Sequence, residues 1–165
     1  MKSTGIVRRI DDLGRVVIPR EIRRTLRIKE GDPLEIFVDS ANGGIVLKKY
    51  SLVGDLTAFA QEYADSLYEA MGHIALIADR DQYIAVCGAP KREYLHKDIP
   101  PDISQIMENR TSKLTESMAV APIISDGEVV GVVMLQAKYD DVKFSNLELK
   151  LTECAAGFLA KQMEG

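Results

Sequence analysis

The hydrophobic pattern of this chain changes its period once, near Leu52, and that change splits the sequence into two parts built on different rules. Upstream, apolar residues come in short runs. STGIVRRI (3–10) and RVVI (15–18) read as strands, separated by the turn residues Asp11-Asp12-Leu13-Gly14. Leu34, Ile36 and Val38 alternate with Glu35, Phe37 and Asp39, Asn42-Gly43-Gly44 is a hairpin signal, and 45–49 is the return strand. An arginine-rich helix lies between the two pairs, so the head reads as ββαββ. A unit this small builds only a marginal core. Cys87 and Cys154 are the chain's only cysteines and both lie downstream, so no disulfide braces it. Partner chains are the remaining device, and a dimeric head is expected.

From Leu52 the spacing becomes helical. Leu52, Leu56, Phe59, Tyr63, Leu67 and Met71 recur at three and four residues and end at Gly72. HIALIAD (73–79) and QYIAVCG (82–88) follow as a strand–turn–strand. Asp102 is placed to cap a short helix through Asn109, and Ala119–Ile124 and Val129–Gln136 form a second strand pair. Ser145-Asn146-Leu147-Glu148 has the S-x-x-E capping-box form and opens a last helix, with Leu147, Leu151, Cys154, Ala155, Phe158 and Leu159 on one broad face. The expected architecture is mixed α and β in two domains, 1–52 and 53–165. The second is an α+β body, an antiparallel sheet with helices on one face.

Arg20, Arg23, Arg24 and Arg27 follow Pro19 at helical spacing, and at about 100° per residue they share one face opposite Ile22 and Leu26. Like charges at i,i+4 repel, so such a face is either simply solvated or has a polyanion to meet. Charge distribution favours the polyanion. Residues 1–50 hold eleven basic and seven acidic groups, net +4, whereas the remainder carries −8. An acidic protein therefore has a basic head, the asymmetry expected of contact with nucleic acid or an anionic surface.

Little points to catalysis. His73 and His96 lack a nearby nucleophile motif, and Cys87 and Cys154 have no metal-ligand spacing and read as buried, reduced thiols. Asp79 and Asp81 lie at a turn, where paired acids serve backbone geometry. No phosphate-binding glycine loop occurs. No catalytic residue, metal ligand or cofactor is assigned, and the chain reads as not an enzyme. No apolar run reaches the roughly 20 residues that span a bilayer, and MKSTGIVRRIDDLGR lacks the apolar core of a secretory signal. A cytoplasmic, nucleoid-associated protein with no membrane partner is expected.

The string KSTGIVRRIDDLGRVVIPREIRRTLRIKEGDPLEIF, then LKKY, resembles the swapped-hairpin domain of the AbrB family of bacterial transition-state regulators. EYADSLYEAMGH, DRDQYIAVCG and AAGFLAKQME resemble sporulation regulators in which an AbrB-type head is joined to a C-terminal GAF-like domain. The resemblance implies an intertwined dimer whose heads exchange hairpins into one small β-barrel. It places DNA-contacting arginines at Arg8, Arg15, Arg23 and Arg24, with Arg9, Arg20 and Arg27 as peripheral contacts or surface charges. Arg8 carries an alternative, since strict alternation sets it on the face of Ile6 and Ile10, where its stem could pack at the barrel edge. The GAF-like body implies a sensor or assembly module, with an unidentified small ligand and helices that pair dimers into a homotetramer. Between Asn109 and Val120 the sequence is shorter than that resemblance leads one to expect. The expected function is a double-stranded-DNA-binding transcription regulator of sporulation genes. The alternatives are an antitoxin-type autoregulator and a small-ligand sensor whose head only dimerises it.

Overall fold

The computed structural model describes residues 2–50 and 57–163. The chain divides into two compact units, Met1–Tyr50 and Ser51–Gly165.

In the first unit, helix α1 (Arg20–Thr25) precedes the hairpin of β1 (Leu34–Asp39) and β2 (Gly44–Lys49). The antiparallel register pairs Ile36 with Leu47 and Val38 with Ile45, so these four apolar side chains share one face. The turn is tied by the Asp39 carboxylate, which accepts the Asn42 backbone N–H at 3.2 Å and its side-chain amide at 2.8 Å, with Gly43 at φ 62°. None of residues 2–50 is buried. Ile36, Val38 and Ile45 are 67%, 74% and 74% exposed, and Val7, Leu13 and Val17 are as open. This apolar surface lacks a counterpart within its own unit.

The expected strands over 3–10 and 15–18 do not form in the single chain. Strand propensity there is real, but a ladder needs a partner backbone, and β1 and β2 pair only with each other. Locally, the Ser3 and Thr4 hydroxyls accept the N–H groups of Gly5 and Ile6 instead. The helix is also shorter than expected. Pro19 is its N-cap, and it stops at Thr25.

The body is a five-stranded antiparallel sheet, ordered β4 (Tyr83–Cys87), β3 (Ile74–Asp79), β7 (Glu128–Gln136), β6 (Met118–Ser125), β5 (Lys113–Leu114). Long helices α2 (Thr57–Met71) and α5 (Asn146–Met163) bury Ala60, Ala64, Ala155, Ala156 and Leu159 against Ile77, Ala85, Ala121, Ile123, Val133 and Leu135. The neighbouring positions Leu76, Val86, Val120, Val132 and Met134 face the other way, onto Ile103, Ile106 and Met107 of α4 (Pro101–Asn109). Helices thus cover both faces rather than one. The apolar runs IALIAD and VVGVVMLQ are buried on both sides, as their continuity requires.

Local chemistry sets the boundaries. Asp79 accepts the N–H groups of Asp81 and Gln82 at 2.8 Å, which is the turn role read from the sequence. Asp126-Gly127, both at positive φ, closes β6 onto β7. Gly88, at φ 88°, lies where a Cβ would sit 2.6 Å from the Tyr68 ring, so α2 approaches β4 closely there. Asp102 is not a cap: Pro100 holds that position, Pro101 starts the helix, and Asp102 lies in the first turn, where its charge suits the helix dipole. The Ser145 N–H donates to the Glu148 carboxylate at 2.7 Å, giving the expected box closure at α5. Short helix α3 (Lys91–Tyr94) and the two-residue strand β5, which lies within the shortened 109–120 segment, carry no clear sequence period. Cys87 is half-buried, with burial raising its thiol pKa, whereas Cys154 is exposed, contrary to expectation, because α5 turns Ala155 and Ala156 inward. Leu52 and Leu56 lie outside the described residues. Among those described, no helix is long and apolar enough to cross a membrane.

Candidate nucleic-acid interface

The arginines of the first unit are set by two local devices, a turn and a helix. At the turn, the Gly14 N–H donates to the Asp11 carbonyl at 3.1 Å and the Asp11 N–H to the Arg15 carbonyl at 3.0 Å, with Gly14 at φ 76°. One carboxylate oxygen of Asp11 accepts the backbone N–H groups of Leu13 and Arg15 at 3.0 and 2.8 Å. The other accepts Arg15 Nε at 2.8 Å. The Arg15 N–H, then its guanidinium, hold the Asp11 carboxyl below its ordinary pKa against the opposing effect of burial. Arg15 follows directly on this turn, its side chain 70% exposed.

The helix begins as Pro19 accepts the Arg23 N–H at 3.0 Å. It ends in a Schellman arrangement: Ile28 N–H donates to the Arg23 carbonyl at 2.7 Å, Arg27 N–H to the Arg24 carbonyl at 3.3 Å, and Arg27 takes φ 55°. Arg27 has therefore left the helix and does not share the arginine face. Its departure removes the Arg23–Arg27 i,i+4 repulsion, and Lys49 Nζ donates to its carbonyl at 3.1 Å. Arg23 folds back so that Nε donates to the Ile18 carbonyl at 3.1 Å.

A groove of about 530 Å³ brings Arg8 and Arg20 together between the N-terminal segment and α1, lined also by Val7, Val17 and Pro19. Arg20 and Arg24, with Glu21 and Thr25, line an adjoining concavity. Arg20, read from sequence as peripheral, thus links Arg8 to Arg24. The signal was available in its i,i+4 spacing to Arg24. Arg8 is exposed and donates to the Val7 carbonyl at 3.1 Å, and Arg9 is exposed on the same segment. Four N–H groups remain on each guanidinium whose Nε is bonded, enough for a bidentate contact to phosphate or to a base edge.

Comparison with known proteins agrees with this division. Residues 55–164 match the family model described as stage V sporulation protein T C-terminal, transcription factor. The chain belongs to that family. It is 52% identical to stage V sporulation protein T of Bacillus subtilis (strain 168) over 180 aligned positions, covering 99% of both chains. Those 180 positions exceed the 165 residues here, so the relative has residues without a counterpart in this family member. The transition state regulatory protein AbrB of the same organism is 68% identical over 50 residues, 30% of this chain and half of that one. Residues 7–55 also match the model described as antidote-toxin recognition MazE, bacterial antitoxin. The second GAF domain of DevS from Mycobacterium smegmatis superposes with a TM-score of 0.57 at 18% identity, covering 65% of this chain and 92% of that one, which shows that the body has a GAF-like fold.

Proposed function

We propose that the protein is a homo-oligomeric regulator of sporulation genes that binds double-stranded DNA through its N-terminal unit and assembles through its C-terminal one. The observation that carries this reading is the row of exposed arginines on a unit of net charge +4 whose apolar side chains lack cover of their own. Arg8, Arg15, Arg23 and Arg24 are the principal DNA contacts, with Arg20 beside them and Arg9 and Arg27 at the margin. Phosphate contacts fix register, and arginine forks read base edges and groove shape. Two heads exchange hairpins, which covers the face of Ile36, Val38, Ile45 and Leu47 and supplies the ladder that residues 3–18 lack. Residues 1–52 act as the DNA-binding domain and 53–165 as the assembly domain, in a cytoplasmic, nucleoid-associated protein without catalytic activity.

On the body, Leu147, Leu151, Cys154 and Phe158 follow one another at spacings of four, three and four along α5. Leu147 is 60% exposed, and Phe158 stacks on Phe59 and Tyr63 at 5.6 and 5.1 Å while remaining partly open. This stripe supports pairing of two dimers into a tetramer. The sheet face beneath α4 is filled by Ile99, Ile103, Ile106 and Met107, which supports assembly over ligand sensing as the body's main work. The antitoxin reading has one observation in its favour, the match over residues 7–55, but the family and fold of the body argue against it.

The test is duplex binding by Arg23→Ala, Arg24→Ala and the double variant. Loss of base-edge contacts removes about 1–3 kcal/mol of discrimination. Loss of phosphate contacts alone weakens all duplexes alike and lowers the log–log salt slope by about 0.9 per contact. Wild-type binding by the double variant refutes the reading.

A further inference from the structure

Asp11 is an acidic group bonded to Arg15, one of the proposed DNA contacts, where it opposes the attraction of a polyanion. An exposed ion pair such as Asp11–Arg15 does little for stability. The turn itself needs only one of the two carboxylate oxygens, the one that accepts the Leu13 and Arg15 backbone N–H groups. The second oxygen is spent on Arg15 Nε at 2.8 Å. That bond fixes the plane of the guanidinium and leaves its two terminal nitrogens as the donor fork. Arg23 receives the same treatment from a different acceptor, its Nε being held by the Ile18 carbonyl. A phosphate accepts a guanidinium from many directions, whereas the O6/N7 edge of guanine takes the fork only in the plane of the base, so holding the guanidinium in advance favours the base edge.

The geometry points to Asp11 as a positioning residue that orients Arg15 for end-on reading of guanine, at the expense of sequence-independent affinity. This rests on the reading of Arg15 as a DNA contact. A neutral carboxamide at position 11 keeps one oxygen for the turn and replaces the oxygen that holds Arg15, so Asp11→Asn separates orientation from loop folding.

The experiment uses the full chain and two duplexes of equal length. One is selected by the unaltered protein from a random pool, and the other is of random sequence. Asp11→Asn is expected to lower the ratio of selected to random affinity about tenfold, the discrimination carried by one bidentate pair. Affinity for the random duplex holds or rises, because a negative charge has gone and Arg15 keeps its own. Replacing guanine by 7-deazaguanine in the selected duplex should weaken the unaltered protein and leave Asp11→Asn nearly unaffected. Asp11→Ser, which also keeps one acceptor, carries the test if the carboxamide variant does not fold. A wild-type ratio in Asp11→Asn alongside a lost ratio in Arg15→Ala overturns the inference and leaves Arg15 a DNA contact. An equal loss on both duplexes overturns it in favour of a structural role. Wild-type binding by Arg15→Ala removes the reading on which it rests.

Discussion

Ile45→Ala separates a head that needs a partner from one that is complete alone. In the single chain Ile45 is 74% exposed, opposite Val38 on the apolar face of the hairpin. If that face stayed in water, truncation would alter stability by no more than about 0.5 kcal/mol, as at other surface positions. If a second head covers it, three carbons at about 0.8 kcal/mol each are lost, and three-quarters of that burial, roughly 1.8 kcal/mol, comes from association. A two-fold assembly contains the substitution twice, so the loss is about 3.5 kcal/mol, or roughly 300-fold in the dimer dissociation constant. Sedimentation of residues 1–52 across a concentration series reads this directly, and so does the concentration dependence of the thermal midpoint. A midpoint independent of concentration, unmoved by Ile45→Ala, would refute the covered face and the exchange of hairpins with it.

Two further expectations concern the body. Glu148 is buried with its carboxyl held below the ordinary 4.5, first by the Ser145 N–H against the opposing cost of burial, with His73 Nε2 at 3.7 Å. Its folded pKa is depressed, so its stabilisation is present above 4.5 and fades as pH falls through the lower folded value. Glu148→Gln should therefore cost about 0.3–1 kcal/mol near neutrality and converge with the unaltered protein in acid, as read by urea titration at several pH values. Leu147→Glu on the exposed stripe of α5 should leave folding within about 0.5 kcal/mol yet reduce tetramer to dimer in sedimentation. An unchanged tetramer would remove this stripe from the interface.

How much of this was legible depended on whether the deciding partner lay nearby in sequence. The β1–β2 hairpin was readable because alternation and Asn42-Gly43-Gly44 are local signals, and the capping box at Ser145 likewise. The burial of both faces of β3 is also present, in a run of apolar residues without alternation, and Ile103, Ile106 and Met107 give α4 an apolar face at spacings of three and one, but which side of the sheet that face covers is a long-range choice that no local pattern carries. The stretch 3–18 reads as strand by composition, but pairing depends on a backbone the single chain does not supply. At the site, the arginine face was legible as a pattern. The exit of Arg27 was not, since its left-handed backbone is held by carbonyls at Arg23 and Arg24 rather than announced by a glycine. The bonds from Arg15 to Asp11 and from Arg23 to Ile18 depend on side-chain rotamers that no residue pattern specifies.

Helix α1 has six residues and buries none of them. A helix that short is not stable in water on its own, because nucleation is unfavourable and few bonds repay it. Its one apolar residue, Ile22, is half-buried, and its C-cap Leu26 is 54% exposed. Whatever covers these two side chains also fixes Arg20, Arg23 and Arg24 on the opposite face. If a second head provides the cover, dimerisation and DNA binding are linked, and DNA must raise dimer affinity by the factor by which dimerisation raises DNA affinity. Ile45→Ala, which touches no arginine, should then weaken DNA binding at low protein concentration and recover it at high concentration. An arginine substitution should show no such recovery. Equal loss of DNA affinity at every concentration after Ile45→Ala would mean that the hairpin face and the arginine face are not coupled through assembly.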